Sequence, residues 1–252
     1  MIRFLTCLLI SGFLLQGNHA GSVSSTSVTL VNKGPANTPL RGDGRVTYST
    51  KIAENNVETE YEVDAKLSNI SPKPVVAFEA IVDMDLGYSV GTHAEYHFDS
   101  FFDADPLMPG SSWDISAAPR RDSMPFIGGR GQAPNREIVP AMREPVFEVR
   151  ISFVQFADGS EFGASKWGNA LPQQRRDLTA LIRHLLDEFD KNKEDGLSSA
   201  IDTKLSDQDN SMNDTSSFLL ALRFKLHEKG AAATVDYLRK CLQNARQHES
   251  WR

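Results

Sequence analysis

Residues 93–99, His-Ala-Glu-Tyr-His-Phe-Asp, set His93, Glu95, His97 and Asp99 at alternate positions. Imidazole and carboxylate groups ligate borderline and hard metal ions. On a strand, alternate residues share a face, so these four point one way, opposite Ala94, Tyr96 and Phe98. Residues four apart on a strand, however, lie about 13 Å apart at ~3.3 Å per residue. Two ligands of one zinc ion, each about 2 Å from it, cannot be that distant. His93 and His97 therefore cannot share an ion. An adjacent pair such as His97 and Asp99 can, provided ligands from elsewhere join it; otherwise the row is a solvated strand face.

A second candidate is Phe-Asp-Lys-Asn-Lys-Glu-Asp-Gly, residues 189–196. Asp190, Asn192 and Glu194 fall at positions 1, 3 and 5 of a calcium-binding EF-hand loop, which requires Gly at position 6 and a bidentate Glu at position 12. Here position 6 is Asp195, with Gly196 one residue late, and position 12 is Ile201, with Asp202 one beyond. One looped-out residue restores the register. Without it the stretch is a polar connector in which Gly196 ends the preceding helix. His97, Asp99, Asp190 and Asn192 are thus the metal-ligand candidates.

Covalent and nucleotide chemistry finds less support. The chain has no Gly-x-Ser-x-Gly elbow, no His-Glu-x-x-His and no phosphate loop. Gly128–Gly131, Gly-Gly-Arg-Gly, lacks the strand before and helix after that a nucleotide site needs. Nothing requires a cofactor. The enzymatic alternative is a metal-dependent or hydrolytic enzyme built on the 93–99 strand.

The elements that position these residues fall into two parts that meet near residue 168. Val57–Leu67 alternates, with Tyr61, Val63, Ala65 and Leu67 on one face and Glu58, Glu60, Glu62 and Asp64 on the other, the period of a half-buried strand. Pro74–Met84 is apolar enough for a central strand, and Asn69–Lys73 between them is a turn. Val146–Phe156 is a further strand, followed by the hairpin signal Asp158-Gly159. Weaker strands are expected at 27–31, 46–52, 96–102 and 113–116. Eleven of the twelve prolines precede the break. Beyond it, Leu178, Leu181, Ile182, Leu185, Leu186 and Phe189 form one helical stripe, with Pro172 in the first turn. A second helix is expected from Asp214 to Lys229, stopped by Gly230, and a third from Ala231 to Ala245.

Residues 21–167 carry 13 basic and 20 acidic side chains, and residues 168–252 carry 13 of each. An acidic chain argues against a general nucleic-acid binder. The N-terminus reads as an export signal. One positive charge at Arg3 precedes an uncharged, mostly apolar run of 12 residues, Phe4–Leu15, then a small and polar stretch ending at Ala20. That run is too short for a transmembrane helix, which needs about 20 residues. No later run competes. Cleavage after Ala20 leaves Cys241 as the one cysteine, so an internal disulfide is impossible; the thiol serves packing or links two chains.

Three segments carry a family resemblance: Asn69–Val82 (NISPKPVVAFEAIV), Phe101–Trp113 (FFDADPLMPGSSW) and Ile151–Gly163 (ISFVQFADGSEFG). They resemble segments of exported bacterial proteins of unknown function with an immunoglobulin-like sandwich. The resemblance covers about 100 residues and implies a fold, because its motifs are turn chemistry; it carries no catalytic residues.

The expected architecture is α+β: a signal peptide over 1–20, an antiparallel immunoglobulin-like β-sandwich over 21–167, and a three-helix region over 168–252. The expected role is an exported, non-catalytic binding or assembly protein of the cell envelope, periplasmic or extracellular. Its partner is a protein or an acidic envelope component. Residues 117–145 are the expected contact: 29 residues without a period, holding five Pro, three Gly and five Arg against three acids. Loops longer than about 12–15 residues are uncommon and usually functional or disordered. Arg120, Arg121 and Arg130 would grip carboxylate or phosphate groups, with Phe126 as an apolar anchor.

Overall fold

The structure, a computed structural model, describes residues 25–53, 56–87, 92–102, 105–125, 144–207 and 214–248. The expected signal peptide lies outside them. The chain is α+β, with ten strands in two sheets followed by a helical region. Alternation builds the strands where it was expected. β3 (Leu40–Ala53) pairs antiparallel with β4 (Asn56–Asn69), so that Val46 faces Val63 and Tyr48 faces Tyr61. β1 (Ser25–Thr29) flanks β3, and β7 (Ser112–Asp114) and β8 (Ala117–Pro125) follow one another along the other edge of β4.

The second sheet is mixed. β5 (Val75–Asp85) lies between β6 (Thr92–Asp99) and β9 (Val146–Phe156), both antiparallel to it. β10 (Glu161–Gly163) and the parallel β2 (Val31–Lys33) share the outer edge of β9. Tyr61, Ala65 and Leu67 of β4 meet Phe78, Ala80 and Val82 of β5 and Phe147 and Val149 of β9 in one buried cluster, so the two sheets enclose a common core. The turn into β5 is organised by the wholly buried Asn69. Its amide donates to the carbonyls of Lys73 and Leu107, and its carbonyl oxygen accepts from the Ser71 N–H and hydroxyl.

The helical region holds two helices rather than three. α1 (Lys166–Ser206) starts six residues before Pro172, because Ser165 caps it by accepting from the Gly168 N–H at 2.9 Å. It then continues through the stretch read as a calcium loop, broken only at Lys193 (φ 57°, ψ −139°). Helix resumes there because Leu197 and Ile201 have an apolar cluster to enter. Gly196 allows the close approach of the two halves: a Cβ there would meet the Glu188 carbonyl oxygen at 2.5 Å. α2 (Asp214–Gln247) likewise runs past Gly230, expected to stop it. Gly230 leaves helical geometry (φ 78°, ψ 173°), but Val235, Leu238, Cys241 and Ala245 continue the buried stripe beyond it. No helix among the described residues is long and apolar enough to cross a membrane.

Sheet and helices meet on the outer face of β5, β6 and β9. Trp167 and Leu171 of α1 bury Ala77 and Phe153. Val76, Phe101 and Phe102 join the helical cluster that contains Ile182, Leu185 and Leu222. The register of β5 against β9 slips between Val75 and Ala77 and again between Glu79 and Ala80, so each strand contributes one bulged residue, Val76 on β5 and Ser152 on β9.

Candidate functional site

The four polar residues of β6 do share one face, opposite Tyr96 and Phe98, which pack against the intersheet core. As the strand spacing demands, His93 and His97 do not meet. Each instead faces a carboxylate on β5, because the register sets Asp83 opposite His93 and Glu79 opposite His97. His93 Nδ1 lies 2.7 Å from Asp83 Oδ1, and its Nε2 lies 3.6 Å from Glu95 Oε1. His93 is exposed, and the Asp83 hydrogen bond, the largest influence, raises its pKa above the ordinary value.

His97 is deeper. Its Nε2 lies 3.3 Å from Glu79 Oε1, and its ring stacks flat on Trp167, with centroids 4.6 Å apart and planes at 6°. Glu79 is buried on both sides of the sheet register, under the start of α1. Burial opposes its charge most strongly. Hydrogen bonds from Ser152, Ser165 and His97, together with the attraction of His97, outweigh that cost and hold the carboxyl below the usual range. The bulge at Ser152 aims its hydroxyl at both Glu79 Oε2, 2.5 Å away, and the Glu79 carbonyl oxygen, 3.2 Å away.

Asp99 is committed differently from the expected pairing with His97. It binds the guanidinium of Arg175 through two parallel bonds, Nη2 to Oδ1 at 2.7 Å and Nε to Oδ2 at 3.0 Å. Arg175 is 1% exposed; it also donates to Gln155 Oε1 at 2.8 Å and lies 4.8 Å over the Phe101 ring. Using Asp99 as a metal ligand would strip this buried cation of its anion. Among the described residues, the one group of three His, Cys, Asp or Glu side chains with ligand atoms mutually within 4.8 Å is Glu79, Glu95 and His97. The signal for Glu79 is in the sequence: it is the single charge in Val75–Val82, on a strand otherwise apolar throughout that stretch.

Asp190 and Asn192 do not form a calcium loop. Both are exposed on α1 just before the break at Lys193, and the residues that would close the loop, Leu197 and Ile201, are buried in the helical core. Arg120 and Arg121 lie on β8, their Cα atoms opposite Tyr61 and Glu60 of β4. The start of the segment expected to be an aperiodic loop is therefore a strand, templated by the free edge of β4 rather than by any alternation of its own. Phe126 and Arg130 lie outside the described residues.

Beside His97 the sheet edge and the helices leave a cleft of about 380 Å³. His97, Asp99 and Phe102 form its sheet side. Trp167, Leu171, Gln174 and Leu178 descend one face of α1, and Thr215, Phe218 and Tyr237 close it from α2. Apolar and aromatic walls with a few convergent polar groups are the usual make-up of small-ligand sites, whose volumes run roughly 300–1,000 Å³. No family model, no curated protein and no solved structure matches this chain.

Proposed function

We propose that this chain is an exported, non-catalytic binding protein of the cell envelope, and that it holds a small, partly apolar ligand in the cleft between the sheet edge and the helices. The cleft carries this reading: Trp167, Phe218 and Tyr237 offer apolar contact, while Gln174, Thr215 and His97 offer hydrogen bonds. Arg175 stands at its base as a structural pin, already engaged by Asp99 and Gln155. Export rests on the charge, apolar run and small-residue order of residues 1–20. The immunoglobulin-like arrangement belongs to the same proposal; two sheets around one core and the turns at Asn69–Lys73 and Asp158–Ser160 are what support it. Arg120, Arg121, Phe126 and Arg130 are proposed to contact a protein or an acidic envelope component.

The test is native mass spectrometry of the chain purified from its own envelope, beside Thr215→Trp, which fills the cleft from its half-buried wall. A small molecule retained by the wild type and lost from a folded Thr215→Trp supports the proposal. A small molecule retained equally by both places binding elsewhere and refutes it.

A further inference from the structure

We infer that Glu79, Glu95 and His97 form a binding site for one divalent transition-metal ion of the zinc class. This inference stands apart from the cleft-ligand proposal, since it rests on the β5–β6 face and needs no small molecule. The geometry is the first ground. His97 Nε2 and Glu79 Oε1 lie 3.3 Å apart. Two ligands each ~2.0–2.1 Å from a tetrahedral ion stand about 3.3–3.4 Å apart, so an ion can enter between these atoms with almost no change in their separation. Glu95, from the same face of β6, has its ligand atom within 4.8 Å of both and an exposed side chain that is free to swing inward.

Charge is the second ground. Glu79 has a side chain only 8% exposed, and its ion-pair partner among the described residues is an imidazole, which carries charge only when protonated. Buried carboxylates are ordinarily paired with a full cation or coordinate a metal. A divalent ion between Glu79 and His97 would supply positive charge that does not depend on protonation of the ring. The third ground is the support around the ligands. Ser152 and Ser165 hold Glu79, with Ser152 on Oε2, which leaves Oε1 toward His97; Trp167 fixes the imidazole plane. Outer groups of this kind orient ligands in metal sites. One imidazole with two carboxylates favours zinc, manganese or iron over calcium, which takes all-oxygen cages. Three protein ligands leave a position for water or a bound ligand, and His97 also lines the cleft.

Cobalt(II) is the probe, because its visible spectrum reports coordination number. The untagged full chain, stripped with chelator, is titrated with Co²⁺ and then challenged with Zn²⁺. The expected result is one Co²⁺ per chain, with an intensified visible band that Zn²⁺ abolishes. His97→Gln and Glu95→Gln should each weaken binding at least tenfold and lose the band, while His93→Gln should bind as the wild type does. Glu95 is exposed, so its variant keeps the test valid if changes at the more buried residues impair folding; circular dichroism melts check each chain. Absence of saturable Co²⁺ binding would overturn the inference and leave His97–Glu79 as a hydrogen bond. So would binding that is unchanged in folded Glu95→Gln, or binding that depends on His93 but not on His97.

Discussion

Arg175 and Asp99 form one ion pair, yet removing either partner should cost very different amounts. Arg175 is 1% exposed, whereas the Asp99 side chain is 21% exposed and can rehydrate. Asp99→Ala removes both bonds to the guanidinium, at 2.7 and 3.0 Å, and leaves a buried cation with only Gln155 and the face of Phe101 among its described partners of that strength. An uncompensated buried charge of this kind costs about 3–5 kcal/mol. The same change also frees the Phe101 N–H, which now donates to Asp99 at 3.1 Å, a further loss of ~0.5–1.5 kcal/mol. Arg175→Met removes the charge while keeping a long apolar stem over Phe101, and the carboxylate left behind reaches water. Its cost should be about 1–2 kcal/mol, the net worth of hydrogen bonds to a charged group less the desolvation no longer incurred. Urea unfolding followed by circular dichroism, with the dependence on urea unchanged between variants, measures both. The expected order is Asp99→Ala well below Arg175→Met in stability. If Arg175→Met proves the more damaging by more than about 1 kcal/mol, the argument from unequal solvent access is wrong, and packing rather than charge dominates this junction.

Lys193 has a positive φ of 57° with no glycine to relieve it, a strain of roughly 1–3 kcal/mol. Lys193→Gly should therefore raise the urea midpoint by the equivalent of ~1 kcal/mol after glycine's own entropy cost, whereas Gly196→Ala, forced against the Glu188 carbonyl, should lower it. The His93 imidazole, watched by NMR, should titrate above its ordinary 6.5, and Asp83→Asn should lower the midpoint. Because the folded value is raised, its stabilising effect is complete below pH 6.5 and fades as pH rises through the folded value. Residues 21–167 made alone should keep a β-type spectrum and a cooperative melt, because the intersheet core lies wholly within them. The melt should fall below that of the full chain, since Val76, Phe101, Phe102 and Phe153 lose the helices that cover them; a non-cooperative melt would show that sheet and helices share one core and that no boundary lies near residue 168.

Local pattern by itself determined much of the fold. Alternation in Tyr61–Leu67 predicts its inward face, the Asn69–Lys73 and Asp158-Gly159 turns follow from side chains that bond their own backbone, and the apolar stripe from Leu178 to Phe189 is helical by spacing alone. The strand rise also settled that His93 and His97 cannot cooperate. Tertiary structure decided what spans the chain. Glu79 meets His97 because β5 and β6 pair in one register, and Asp99 is taken from His97 by Arg175, 76 residues away. β8 is a strand because β4 offers it an edge, although its own residues have no period. Lys193 and Gly230 interrupt helices without ending them, because the buried stripes on either side hold both halves in one cluster, and that packing outweighs the local preference to stop. Periodicity records which face a residue presents, whereas the identity of the side chain opposite depends on register and helix docking, which are set by the burial of the whole core.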